Sequence, residues 1–473
     1  MHEFSKLSIK MTNFKQKRGR MKLINFFLIF ILVLSACNEE SKPISNISGK
    51  VITAVGDSAI VNVLIATNPP TGSVFTDSNG NYLIPEVSEG PYTVGASKNG
   101  FVTTTVDVLV KRGQTISANI LMTRTIVADN GNCLDPILAD FNWSEQFRVK
   151  GLSSDVYGIA SKGSDVYVGG RFDYAGSSLV SFAAKWNGAN WSALGSGMNE
   201  AVFPIVVIGN DVYYGGVFTT AGGVTVNHVA RWDGNSWHAL GSGTDGNVYA
   251  MAVLNGDLYI GGSFTQAGGV PANNIAKWNG SQWSAVGTGT NDVIYSMAIA
   301  GTDVIVGGNF TVAGGTSANR IAKWNGSAWS ALGSGMNNYV RALAVNNSTI
   351  YAGGIFTTAG GNTAYRLAQW DGNSWSSLGD GANEYVVSLL FYDNILYCGG
   401  WFTMLGTKPI NYIAQWDGNE WCGLGSGVGG YGSLGFPPGV NAMAINGSEL
   451  YVGGQFDSAG TKPSSRISSY LIP

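Results

Sequence analysis

With 473 residues, 45% of them apolar and 11% aromatic, the chain is a globular protein large enough for two or three domains with substantial cores. Charged residues make up only 12% while 67 positions are Gly, which favours many short strands joined by tight turns over helices and makes the expected fold class all-β. Beyond residue 36 there is no basic patch or extended Lys/Arg run, which argues against nucleic acid as a partner.

Met21 and Lys22 precede an apolar run from Leu23 to Leu34, too short to span a bilayer stably, which ends in Leu34-Ser35-Ala36-Cys37. This pattern resembles a lipoprotein signal peptide with a bacterial lipobox. The resemblance implies a start at Met21, removal of residues 1–36, lipidation of Cys37 and a short tether over residues 37–42. Acyl chains contribute about 0.8 kcal/mol per buried CH₂, so the expected partner at this end is a membrane. Glu39 and Glu40 are similar to the surface-export signal of Bacteroidota-type lipoproteins; the expected location is the cell envelope, on an outer membrane, facing the periplasm or, as these two glutamates favour, the medium. Processing removes seven Lys/Arg and Glu3, moving the balance from 27 against 30 to 20 against 29, near −9.

Residues 43–123 show alternating runs at Ile60–Ala66, Tyr82–Ile84, Tyr92–Ala96, Thr103–Val110 and Thr115–Leu121, broken by turn residues. They read as a small β-sandwich. Thr76, Asp77, Gly80, Tyr82, Val87, Gly90, Tyr92, Val94, Ala96, Gly100 and Phe101 resemble the carboxypeptidase regulatory-like, prealbumin-type domain. That resemblance implies an accessory sandwich and no peptidase chemistry. Asp77-Ser78-Asn79-Gly80-Asn81 also opens like a calcium loop, but Glu89 falls thirteenth rather than twelfth, and a hairpin turn accounts for the same residues.

Residues 124–140 lack periodicity and read as a linker. From 141 to 473 the chain repeats: Trp186, Trp232, Trp278, Trp324, Trp370 and Trp416 are each 46 residues apart, as are Trp191, Trp237, Trp283, Trp329, Trp375 and Trp421. This period reads as a β-propeller with four strands per blade, the blades packed through two tryptophan belts. Second strands end in Gly-Gly seven times, from Gly169-Gly170 to Gly453-Gly454, which predicts seven blades. The last copy stops at Pro473 without its fourth strand. Asn142-Trp143-Ser144-Glu145-Gln146-Phe147 matches the missing strand, so a Velcro-like closure by this N-terminal segment is expected, removing the open edges a ring does not tolerate. The Gly-Gly and Trp-x-x-Leu elements resemble kelch and galactose-oxidase-like propellers, and more closely the repeats of fungal cortical polarity-marker proteins and their bacterial relatives. Copper oxidase chemistry does not carry over, because after processing only His228 and His238 remain, and no cofactor or metal is expected.

Cys133, Cys398 and Cys422 allow one disulfide in an oxidising compartment. Cys398 replaces core residues of other copies, whereas Cys422 replaces Ser192, His238, Ser284 and Ser330, a wetter position. Cys133 and Cys422 are therefore the candidate pair.

Positions in register that vary between blades are free to be tuned for a ligand. One such set is Phe182, His228, Asn274, Arg320, Arg366, Tyr412 and Arg466. The other precedes the inner strands at the expected channel mouth: Asp155, Tyr157, Glu200, Phe203, Tyr249, Asp292, Tyr295, Tyr339, Arg341, Glu384 and Tyr385. Tyrosines interleaved with Arg and carboxylates suit carbohydrate, rings stacking on sugar faces and charges bonding hydroxyls; the alternative is a solvated loop surface. The leading function class is a non-enzymatic envelope lipoprotein that binds glycan, followed by a protein-docking or structural component. A glycoside hydrolase or lyase ranks third, because Glu200, Asp292 and Glu384 are candidates by position alone and no nucleophile motif accompanies them.

Overall fold

The computed structural model describes residues 45–53, 59–98, 101, 103–122, 139–432 and 437–472. The signal peptide, Cys37, the tether and Cys133 lie outside them. The chain divides into two compact units, Met1–Arg124 and Thr125–Pro473.

The first unit is a sandwich of two sheets. In one, Asn46–Thr53 pairs antiparallel with Asn81–Ile84 and parallel with Thr115–Ser117 and Ile120–Met122. In the other, Ser73–Phe75, Leu64–Asn68, Gly90–Ser97 and Thr104–Val110 follow one another antiparallel. Alternation sends Tyr82, Ile84, Tyr92, Val94 and Ala96 inward, where they join Ile47, Val51 and Ile65 in one core.

Three details differ from the sequence reading. Asn46–Thr53 is a strand that was not expected, because Gly49 and Lys50 interrupt its alternation. Gly49 nonetheless fits that place, since a Cβ there would lie 2.1 Å from the Ala118 carbonyl oxygen. The run Thr115–Leu121 is split, as Asn119 accepts the Lys50 N–H through Oδ1 at 2.9 Å. The run expected from Ile60 becomes a strand only at Leu64, after Asn62 turns to φ 56°. At the hairpin tip, Asp77 Oδ1 accepts the Asn79 and Asn81 N–H groups at 2.8 Å each, and these bonds hold its carboxyl below the usual range. The turn itself uses the carboxylate.

The second unit is a propeller. Its inner strands are Val156–Lys162, Val202–Ile208, Asn247–Leu254, Ile294–Ala300, Val340–Asn346, Val386–Tyr392 and Gly439–Asn446. Each packs against the next and the last against the first. Each begins a sheet; in the third, Asn247–Leu254 is followed outward by Asp257–Ser263, Ile275–Trp278 and Trp283–Ala285. Between the second and third strands, Gln266–Ala267 and Val270–Pro271 form a small hairpin, and Thr244 bridges to Ala267.

The last sheet draws only three strands from the C-terminal segment, ending with Ile467–Leu471. Trp143 bridges to Tyr470 and the Ser144 N–H donates to the Ser469 carbonyl at 2.8 Å, so the N-terminal segment completes this sheet as expected.

The outer tryptophans join neighbouring sheets. Trp237 Nε1 donates to the Leu194 carbonyl of the preceding sheet at 2.7 Å, Trp283 to Leu240 at 2.7 Å and Trp375 to Leu332 at 2.8 Å. Trp143 does the same to Leu424 at 3.0 Å, so it takes its place in the outer belt. In the six sheets that carry both, the outer tryptophan also packs on the inner-belt tryptophan with centroids 5.1–5.4 Å apart, whereas Trp143 packs on Tyr470 at 5.0 Å.

Candidate binding rim

The Gly-Gly pairs position the inner rim. A Cβ on Gly307 would lie 2.5 Å from Val340 Cγ1 of the next sheet, and one on Gly308 would lie 2.1 Å from the Val293 carbonyl of its own. The first glycine admits the branched residue that opens the neighbouring inner strand, and the second admits backbone. The same relation between Gly453 and Val156 closes the ring.

Opposite this pair the inner strand gains one residue. In the third sheet Val248 pairs with Gly262 and Ala250 with Gly261, leaving Tyr249 as the extra residue of a β-bulge. Every sheet repeats the slip, and the bulged residues are Tyr157, Phe203 (with Pro204), Tyr249, Tyr295, Arg341, Val387 and Asn441. A bulge re-aims the side chain it carries.

The aromatic ones meet in a continuous arc. Ring centroids are 5.4 Å apart for Tyr157–Phe203, 5.4 Å for Phe203–Tyr249 and 5.8 Å for Tyr249–Tyr295. All four rings are half-buried. Burial, together with the Asp155 charge, raises the pKa of Tyr157, and burial raises that of Tyr295, so both hydroxyls stay protonated at neutral pH.

The sequence reading placed Tyr339 and Tyr385 in this set by type, but both sit two residues before the bulge. The 46-residue aromatic column ends at Tyr295, and Arg341 holds the next place with its guanidinium 4.5 Å from the Tyr295 centroid. Tyr339 flanks the arc, 6.0 Å from Tyr295, with Arg320 5.9 Å from its own ring. Tyr385 packs instead on Trp401 at 5.6 Å. The expected ring of tyrosines is thus an arc over four sheets, extended by Tyr339 and Arg341.

Three of the mouth carboxylates have local partners. Asp155 is 6% exposed with Oδ2 3.5 Å from the Tyr157 hydroxyl, and Glu200 accepts the Ala201 N–H at 3.2 Å. Asp292 accepts the Val293 N–H at 2.7 Å and Asn309 Nδ2 at 2.8 Å. Glu384 is exposed.

The other candidate set shares a feature the sequence does not announce. Phe182, His228, Asn274, Arg320, Arg366, Tyr412 and Arg466 all lie in the left-handed region, with φ between 62° and 70°. Each holds both backbone groups to its own sheet; His228, for example, donates to Phe218 and accepts from Gly216. Several side chains then act as latches. Asn274 donates to the Thr290 carbonyl at 2.8 Å and Arg366 to the Ala382 carbonyl at 3.0 Å, both at the start of the next sheet. Arg320 donates to the Asn309 carbonyl, and Arg466 donates to the Tyr431 carbonyl at 3.0 Å. Phe182 and Tyr412 pack against apolar clusters. Burial holds the His228 imidazole below its ordinary pKa, so it is neutral at pH 7.

Cys398 is free and fully buried, as its core position implies, and burial pushes its thiol pKa up. Cys422 is disulfide-bonded with its partner outside the described residues, and at 7% exposure it sits in a drier place than the sequence comparison implied.

Comparison with known proteins agrees with this architecture. The model of the carboxypeptidase regulatory-like domain matches residues 46–123, and that of the Rax2 C-terminal beta propeller domain matches residues 253–391. No curated protein matches the chain. Among solved structures, it is similar to the computationally designed Ika8 protein at 16% identity over 69% of this chain and 99% of that one, with a TM-score of 0.44. The designed Ika4 protein is similar at 17% identity over 37% and 92%, with a TM-score of 0.26. A putative carbohydrate binding protein from Bacteroides uniformis ATCC 8492 is similar at 13% identity over 28% and 53%, with a TM-score of 0.16. The chain thus contains a carboxypeptidase regulatory-like domain followed by a β-propeller domain.

Proposed function

We propose that the inner rim of the propeller binds a glycan, and that the chain is a non-enzymatic lipoprotein of the cell envelope, tethered through Cys37. The observation that carries the reading is the arc Tyr157, Phe203, Tyr249 and Tyr295, four aromatic side chains turned to one rim by bulges at the same register. Aromatic faces stack on the C–H faces of sugars, and nearby Tyr hydroxyls, Asn and Arg supply hydrogen bonds that fix orientation. The local bonding of Asp155, Glu200 and Asp292 fits a binder better than a hydrolase, whose two carboxyl groups must face a scissile bond.

The disulfide of Cys422 belongs to the same proposal, with Cys133 as its partner in an oxidising compartment. A glycan array with polysaccharide retardation on residues 38–473 tests the function. A specific saccharide hit supports it. A blank array, with a stoichiometric protein partner recovered from crosslinked envelope, contradicts it.

A further inference from the structure

We propose that the ligand is an anionic saccharide, a uronate-bearing chain whose carboxylate is taken by Arg341; this rests on the reading of the inner rim as a glycan site. Arg341 occupies the bulge position directly after Tyr295, where the four preceding sheets carry an aromatic ring. Its guanidinium lies over the Tyr295 face at 4.5 Å and the residue is exposed.

The arginines at the latch positions are engaged with their own structure, and Arg171 lies at the opposite end of the arc, beside Tyr157. Arg320 donates to the Asn309 carbonyl, Arg366 to Ala382 at 3.0 Å, and Arg466 to Tyr431 at 3.0 Å while lying 3.5 Å from Asp457. Arg341 takes part in no ion pair among the described residues.

A guanidinium stacked on a ring has its flat face covered and its N–H edge free, and that edge matches a carboxylate in a bidentate pair. The stacking also limits the rotamer freedom lost on binding. Asp292 on the preceding sheet, which acts on the same Tyr295 ring as Arg341, is bonded by Asn309 and Val293. Sugar rings lying on the arc would bring a pendant carboxylate to its Arg341 end. The negative balance of the chain opposes a polyanion at long range, but that field is screened over about 8 Å at physiological ionic strength, whereas a bidentate contact is not.

The experiment is affinity electrophoresis of the full chain in detergent through gels containing polygalacturonate or alginate, each beside its carboxyl-reduced counterpart and a panel of neutral polysaccharides. A hydrogen-bonded charge pair predicts retardation about tenfold stronger by the acidic polymer than by its reduced form. Arg341→Gln removes that preference and Arg341→Lys restores part of it, with unchanged melting temperature for both exposed-site variants. Equal retardation by acidic and reduced polymers, or a preference that survives Arg341→Gln, overturns the anionic ligand and leaves the glycan reading standing. No retardation by any polymer, acidic or neutral, overturns both.

Discussion

At the outer rim of the propeller every sheet carries the same side chain, whereas at the inner rim every sheet carries the same backbone distortion and the side chain changes. Trp191, Trp237, Trp283, Trp329, Trp375 and Trp421, with Trp143 for the last sheet, each donate Nε1 to a carbonyl of the sheet before. One bond geometry needs one residue type, so this belt is scaffold. The bulge needs only the Gly-Gly opposite and the branched residue before it, which leaves its own side chain unconstrained. The chain uses that freedom to place four aromatics, one Arg, one Val and one Asn around a common rim. Uniform side chains mark what holds the ring; a uniform backbone under varied side chains marks where a ligand can be read.

This contrast can be broken first at the closure. Trp143→Ala removes a nearly fully buried ring, its bond to Leu424 and its edge contact with Tyr470 at 5.0 Å, so the propeller transition in calorimetry should lose about 3–5 kcal/mol. An unchanged transition would mean that the N-terminal segment does not complete the ring.

Next in size, Gly307→Ala puts a methyl group 2.5 Å from Val340 Cγ1 and should cost about 1–3 kcal/mol in urea unfolding. Gly95 in the sandwich strand Gly90–Ser97 offers the matching control: a Cβ there would lie 3.7 Å from Thr105 Cγ2 and 3.8 Å from the Ala66 carbonyl oxygen, ordinary contact, so Gly95→Ala should cost far less.

The smallest effect concerns the latch position between the rims. Burial keeps His228 below its ordinary value of 6.5, so the unfolded chain takes up this proton first. Its contribution is complete above about pH 6.5 and declines as pH falls through that value toward the folded pKa. His228→Asn, the residue found at the same place in the next sheet as Asn274, should flatten the stability profile between pH 7 and pH 5. A profile as steep as that of the native protein would assign the dependence to other groups.

Much of the fold is visible in the sequence because its constraints act on residue type at fixed spacing. The 46-residue tryptophan columns, the seven Gly-Gly pairs and the match of residues 142–147 to an outer strand follow from that. The inner rim is harder to read. A bulge moves the register by one residue, so Tyr339 and Tyr385 look equivalent to Tyr295 by type while standing two residues away from its place. The signal was present, since Tyr157, Phe203, Tyr249 and Tyr295 keep the 46-residue period and Tyr339 does not. The left-handed latch positions gave less warning: Phe, Arg and Tyr are poor indicators of positive φ, and only Asn274 and His228 are of types enriched there. In the sandwich, Asn46–Thr53 was hidden because Gly49 answers to the Ala118 carbonyl rather than to an alternating pattern.

The most direct test of the account is the retardation of the folded full chain by the saccharide that the array identifies, compared with a Tyr249→Ala, Tyr295→Ala double variant. Stacking is the contact removed and the outer belt is untouched, so the account predicts at least about a tenfold loss of affinity while the β-sheet circular dichroism stays native. Native affinity in the folded double variant would contradict it and take the ligand away from the inner rim.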